Sequence, residues 1–323
     1  MRALRSAVLF CLAIYLGTGV AAAQQTGQPD GDFTVTLLGT GTPPPFLSRF
    51  GAATLVQAGG QTLLFDCGRG TTQRLWQKRV PLGAVDHLFL THLHSDHVVG
   101  IPDLWLTGWL TSPFGRRPGP FSVYGPAGTA AMMANLEEAF AWDVATRLED
   151  QKLPEQGVAV AATEIAEGVV YDRDGVTVTA FEVDHGDLIQ PAFGFRVDYD
   201  DRSVVISGDT RYSENLVRHA QGADLLIHSV AAIRQELLDS AVSWQRIMDH
   251  HSEPEDAGRV FAQVRPRMAA YTHVVRLTNG TIPPVGEDEM VARTRTVYDG
   301  PLTMGKDLMS FAVTEEAVTV VEP

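Results

Sequence analysis

Apolar and polar positions alternate with period two in several short runs, each fenced by glycine or proline. "FTVTLLG" (33–39), "AATLVQ" (52–57) and "QTLLFD" (61–66) predict strands near the start of the chain. "VDHLFL" (85–90) is apolar nearly throughout, as a buried strand is. Strand-like runs return with "VAVAATEI" (158–165), "VTVTAFEV" (176–183), "FGFRVDY" (193–199), "SVVIS" (203–207) and "ADLLIHS" (223–229). Helices are predicted over "TTQRLWQK" (71–78), "GTAAMMANLEEAFAWDV" (128–144) and "EPEDAGRVFAQV" (253–264). "SDHVVGIPDLWLTG" begins a further helix, interrupted near Pro102, and "SPFGRRPGP" (112–120) is a loop expected to shape a pocket. Strand runs in both halves, each followed by helices, predict two facing mixed sheets with outer helices, an αββα sandwich of the α/β class. No repeat and no linker divides residues 32–323, which read as one domain.

The first residues follow another pattern. Arg2 and Arg5 precede the apolar run Ala7–Leu16, and Ala21–Ala23 offers a small-residue cleavage site. Residues 1–23 therefore read as a secretory signal peptide, with an uncleaved anchor as the weaker alternative, and 24–31 as a flexible leader. A periplasmic or secreted protein with no later membrane span is expected. Cys67 would be the one cysteine left, so core packing or metal must do the work of disulfides. The formal charge is −14, and removing two arginines with the signal peptide makes it −16. Such acidity gives no general attraction to nucleic acid, so an RNA or DNA partner is not expected.

The chemistry is concentrated at "THLHSDHVVG" (91–100), straight after the buried run at 85–90. His92 and His94 alternate with Leu93 and would point the same way in an extended segment. Asp96 and His97 lie where strand turns to helix and face the same cleft. Imidazole and carboxylate suit Zn2+ and similar metals, and four donors from one segment exceed the needs of one open site. Three further donors, His185, Asp209 and His273, each close a strand-like run. Seven donors could divide as three and three with one shared carboxylate. Asp66, after "LLF", could orient a ligand histidine or simply make a turn. His87, His219 and His228 read as structural or exposed. Trp105 and Trp109, four apart, fit a packed helix face better than a pocket lining. Ser252 is the expected cap of the helix at 253–264.

These motifs resemble the metallo-β-lactamase superfamily. The resemblance rests on "THLHSDH", a later lone histidine, "SGDT", "YTH", and the early "LLGTGTPPP" and "LLFDCGRG". The "GTGTPPP…R" opening and "HSDH" resemble its ribonuclease Z and zinc-dependent arylsulfatase branch. The resemblance implies a dinuclear centre, with His92, His94 and His185 on one metal, Asp96, His97 and His273 on the other, and Asp209 bridging. Zn2+ is the expected ion, with Mn2+ or Fe accepted by the same donors. His251, in "DHHSEPEDAG" (249–258), aligns with a ribonuclease Z histidine near the scissile phosphate. His251 and Asp96 are thus the candidate catalytic residues, and a hydroxide between the metals the expected nucleophile.

Two departures from the ribonuclease Z pattern shape the functional expectation. Only 23 residues separate His185 from Asp209, where that family usually carries a long basic arm, and Ser229 stands where it carries a glutamate. Together with the acidity and the signal peptide, they favour an exported metal-dependent hydrolase of small sulfate or phosphate esters. The alternatives are a lactonase or other carboxylic ester or amide hydrolase, a ribonuclease Z-like RNase, and a non-catalytic metal-stabilised binding protein. Oligomeric state, a dimer included, is left open.

Overall fold

The computed structural model describes residues 32–323. The signal peptide and leader expected over 1–31 lie outside the described residues.

Strands β1 (Phe33–Gly39), β2 (Ala53–Ala58), β3 (Gln61–Phe65), β4 (His87–Phe89), β5 (Phe121–Gly125) and β6 (Val160–Glu164) form the first sheet with β14 (Ser310–Val313) and β15 (Val318–Val321). Its order is β15-β14-β1-β2-β3-β4-β5-β6, antiparallel up to β3 and parallel from β3 to β6. The second sheet holds β7 (Gly168–Arg173), β8 (Val176–Val183), β9 (Ala192–Tyr199), β10 (Arg202–Ile206), β11 (Leu225–Ala232), β12 (Met268–Arg276) and β13 (Leu302–Met304) in the order β13-β12-β11-β10-β9-β8-β7. It too is antiparallel in its early strands and parallel from β10 to β13.

The helices described are α1 (Thr71–Gln77), α2 (Ser95–Val98), α3 (Ile101–Trp109), α4 (Thr129–Gln151), α5 (Glu214–His219), α6 (Gln235–Leu238), α7 (Val242–Met248), α8 (Pro254–Val264) and α9 (Glu287–Thr294). Among the described residues no helix is long and apolar enough to cross a membrane.

Strand periodicity sorts the core into layers. Phe33, Val35 and Leu37 face the second sheet and meet Val176, Phe193, Phe195, Val204 and Ile227 in the central layer. The opposite face of the first sheet, with Leu55, Leu64 and Leu88, is covered by Leu104, Trp105 and Trp109 of α3. Outside the second sheet, α8 buries Ala257, Val260, Phe261 and Val264, the i, i+3, i+4, i+7 stripe of one helix face. The αββα expectation is met.

Several details differ from the sequence reading. The strand expected over 85–90 is only His87–Phe89, and the helix expected over 128–144 runs on to Gln151. Helix α8 is capped by a box in which the Glu253 carboxylate accepts from Asp256 N and the Asp256 carboxylate accepts from Glu253 N, and not by Ser252. The Ser252 hydroxyl instead donates to the Thr210 carbonyl at 2.9 Å. The loop at 112–120 is tied to α3 rather than left to shape a pocket. Arg117 is buried there and donates to the carbonyls of Trp105 (2.7 Å) and Leu104 (3.1 Å).

Candidate metal centre

The segment after β4 leaves the sheet as extended chain through His94 and turns into α2, so His92, His94, Asp96 and His97 come from one strand end. The turn is clasped from the neighbouring strand. Cys67 N donates to the His97 carbonyl (2.7 Å), and Gly100 N donates to the Cys67 carbonyl (2.8 Å). A Cβ on Gly68 would stand 2.3 Å from the Asp96 carbonyl oxygen, so only glycine permits this approach. Asp66, at φ +59°, accepts from Thr91 N (2.9 Å) and stands 2.7 Å from His97 Nδ1. The carboxylate accepts a hydrogen bond from Nδ1–H and leaves Nε2 aimed inward. Of the two readings of Asp66, the orienting one matches the contact.

The second sheet supplies its donors one at a time. His185 follows β8 by two residues, and its Nδ1 donates to the His250 carbonyl at 2.9 Å. Asp209 follows β10 across Gly208, whose φ is +62°; a Cβ there would lie 2.5 Å from the Phe193 carbonyl oxygen. His273 does not close its strand, as the sequence suggested, but lies inside β12. Thr272 pairs with Ser229 and Val274 with Val230, so His273 is the extra residue of a bulge, at φ +42°. A bulge re-aims a side chain that regular pairing would point elsewhere.

All seven donors converge. His92 Nε2 lies 2.9 Å from His94 Nδ1, which lies 3.4 Å from His185 Nε2. His273 Nε2 is 3.1 Å from Asp96 Oδ2, and His97 Nε2 is 3.7 Å from the same oxygen. Asp209 stands between the groups, with Oδ2 3.5 Å from His97 Nε2 and 3.9 Å from His185 Nε2. Two nitrogens on one tetrahedral metal are about 3.3 Å apart, so the histidine spacings fit a shared ion. Two buried nitrogens, His97 Nε2 and His273 Nδ1, have no hydrogen-bond partner among the described residues. Nδ1 of His273 is 3.1 Å from Asp209 Oδ1 without hydrogen-bond alignment. Unpaired buried nitrogens are costly unless something else takes their lone pairs, and a metal ion does so. The sets His92, His94, His185 and Asp96, His97, His273 could each hold a metal ion.

The electrostatics agree for the first set, whereas burial of His97 is outweighed by the Asp66 and Asp209 carboxylates, which raise that imidazole. Burial pushes the imidazoles of His92, His94 and His185 down, that of His185 to about 4, so these rings are neutral at pH 7 with lone pairs available. Burial alone would raise the Asp209 carboxyl, but His273 and His97 outweigh it and hold Asp209 well below the usual carboxylate range. Burial opposes charge on His251 too, and is outweighed by the hydrogen bond and charge of Asp209, which raise it. His251 Nδ1 donates to the Ile247 carbonyl (2.7 Å), and its Nε2 lies 3.6 Å from Asp209 Oδ2.

The remaining candidates sort clearly. Trp105 and Trp109 are buried and donate to the carbonyls of Val158 and Pro154, as a packed face should. His228 is buried in β11, His87 is packed against Tyr171, and His219 stacks on Phe181. Two contributors escaped the sequence reading. The His250 carbonyl orients His185, and the unexplained histidine pair was its only signal. Asp307 accepts from Thr40 N (2.9 Å), Phe50 N (2.7 Å) and Arg74 (2.9 Å), while the Thr40 carbonyl accepts from Val274 N (2.9 Å) beside His273. Asp307 lies 267 residues from Thr40, and nothing local announces it.

The Beta-lactamase superfamily domain model matches residues 61–274. The chain is 38% identical to the ribonuclease Z of Mycolicibacterium gilvum over 277 residues, covering 85% of this chain and 94% of that one. The ribonuclease Z of Mycobacterium marinum is 36% identical, covering 85% and 96%. Among solved structures, human tRNase Z, short form, is 25% identical with a TM-score of 0.64, covering 87% and 99%. The metallo-beta-lactamase fold protein YhfI from Bacillus subtilis, 21% identical with a TM-score of 0.65 and covering 86% and 98%, shares the fold.

These matches overturn the expected hydrolysis of small sulfate or phosphate esters and the exclusion of nucleic acid. The length of the segment between His185 and Asp209 does not outweigh a match that covers 94% of a relative named ribonuclease Z. Net acidity was the wrong measure as well, because it describes long-range attraction to the whole surface and not the groups lining one cleft. The chain belongs to the metallo-β-lactamase superfamily, in its ribonuclease Z branch, and is a metal-dependent hydrolase.

Proposed function

We propose that this chain is a ribonuclease Z-like enzyme that hydrolyses a phosphodiester bond of RNA, with precursor tRNA as the first substrate to test. What carries the reading is the match along nearly the whole length of relatives that bear the name ribonuclease Z. The converging donors support it. His92, His94 and His185 would hold one divalent metal and Asp96, His97 and His273 another, with Asp209 shared; Zn2+ is the first candidate, and Mn2+ or Fe suits the same donors. When bound, the metals supply Lewis acidity toward the phosphoryl group and a water that is nucleophilic at neutral pH.

The chain's own groups account for the rest. Asp66 and the His250 carbonyl fix the rings of His97 and His185, so the donors need little reorganisation. As the new P–O bond forms and the old one breaks, the departing oxygen needs a proton. His251 supplies it from Nε2, while Nδ1 keeps its proton on the Ile247 carbonyl. Asp96, whose Oδ2 lies 3.1 Å from His273 Nε2, would be a donor to the same metal as that ring.

The test is incubation of the purified, metal-loaded protein with a 3′-extended precursor tRNA. A discrete cut that chelator abolishes and re-added Zn2+ restores is expected. Intact RNA after exposure to protein of verified metal content would overturn the reading. Export of the chain by residues 1–23 is a separate proposal, checked by the N-terminal residue of the protein recovered from a periplasmic fraction. Residues 32–323 are read as one catalytic domain.

A further inference from the structure

A cavity of about 570 Å³ is linked to the centre through His251, which is part of its lining. The same residue stands 3.6 Å, through Nε2, from Asp209 Oδ2. One wall is apolar, made by Leu238 at the end of α6 and Met248 at the end of α7. Tyr212 lines the same cavity. Its ring is held at two points: Gln263 Nε2 donates to the hydroxyl at 2.9 Å, and the Arg259 guanidinium lies 5.6 Å from the ring centroid.

Gln245 and Asp249 add an amide and a carboxylate to the lining. The other charges there are largely neutralised by ion pairs: Arg211 with Asp184 at 2.7 Å, Glu253 with Arg293, and Arg259 with Asp256. This is therefore not a phosphate-gripping surface. It is a slot with an apolar wall, a fixed aromatic ring and groups able to accept and donate hydrogen bonds. Those are the features by which proteins hold an unstacked base. Its volume lies within the usual range for a small-molecule site.

We propose that this cavity binds the base of the nucleotide that carries the departing oxygen, stacked on Tyr212 and walled by Leu238 and Met248. The proposal rests on the RNA reading above and adds to it a specificity-determining residue. The link to the leaving side follows from His251, which delivers its proton to the oxygen of the nucleotide nearest to it. Tyr212 would contribute through its ring face, because Gln263 already occupies its hydroxyl.

The experiment compares wild type, Tyr212→Ala, Tyr212→Phe and Leu238→Trp on a precursor tRNA and on two forms made abasic at either nucleotide flanking the cut. Which product keeps the phosphate identifies the leaving side. Tyr212→Ala should lower kcat/KM about tenfold on the intact RNA, the size expected for losing one stacked base, and Tyr212→Phe should not. Leu238→Trp, which fills the cavity from another lining residue, should lose a similar factor. On RNA abasic at the leaving nucleotide, wild type should fall by that same factor and the variants no further. Equal losses on intact and abasic RNA would overturn the proposal, as would dependence on the other nucleotide. If wild type cleaves none of the three RNAs while holding its metal, the RNA reading fails and the slot assignment with it. Cleavage with no sensitivity to Tyr212 or Leu238 sinks the slot alone.

Discussion

The two sheets contribute to one centre in different ways. The first delivers four donors within six residues, from one strand end and one turn of helix, clasped by its neighbour through Cys67 and Gly68. The second delivers three donors from three places, each by its own device: a loop pinned by the His250 carbonyl, a left-handed glycine before Asp209, and a bulge at His273. The first arrangement is local and depends on a short stretch of chain. The second depends on the register of a whole sheet. Damage should therefore propagate differently from the two sides.

Removing Asp209, the carboxylate proposed to be shared, tests both at once. Asp209→Ala should release metal from the whole centre and lower RNA cleavage by more than about 10³-fold, beyond the cost of losing an orienting partner. Metal content by mass spectrometry checks it, and retention of a full metal complement would show that the halves are independent.

The next effect concerns the second sheet without touching a donor. Burial in β11 pushes the His228 imidazole down to about 4, against a usual value near 6.5. Between these values the unfolded chain binds a proton that the folded chain refuses. The stability this group contributes is thus fully present above pH 6.5 and lost as pH falls toward 4, by about 3 kcal/mol. Urea unfolding of wild type and His228→Gln across that range should show a shallower pH slope in the variant. Identical slopes would refute the assignment.

On the first sheet, Asp66→Asn should weaken metal affinity about 10- to 100-fold, because His97 loses the charged partner that fixes its ring. Competition with a chromophoric chelator measures it. The smallest effect is Ser252→Ala. It deletes one buried hydrogen bond to Thr210 and should cost about 1 kcal/mol in chemical denaturation with metal content unchanged.

The same contrast explains what the sequence disclosed. "HLHSDH" was legible because its geometry is set by neighbours in the chain, and period two alone aligns His92 with His94. The layered fold was legible because Phe33, Val35 and Leu37 alternate with Thr34 and Thr36. His273 was found as a donor but misplaced at a strand end, since its bulge belongs to the pairing of β12 with β11 and not to either strand. Arg117 and Asp307 were missed because their partners are brought near by the fold. The substrate was misjudged for a related reason: the charge of the whole chain was read in place of the lining of one cleft.

One short loop has a consequence beyond its hydrogen bonds. Residues 250 and 251 are adjacent, yet the carbonyl of the first steers His185 and the ring of the second borders the cavity. Whatever settles that loop from the cavity side therefore also settles the ring of a metal donor. Thermodynamic linkage then runs in both directions. An occupied slot should tighten the hold on metal, and bound metal should tighten the hold on the slot's occupant, by the same factor.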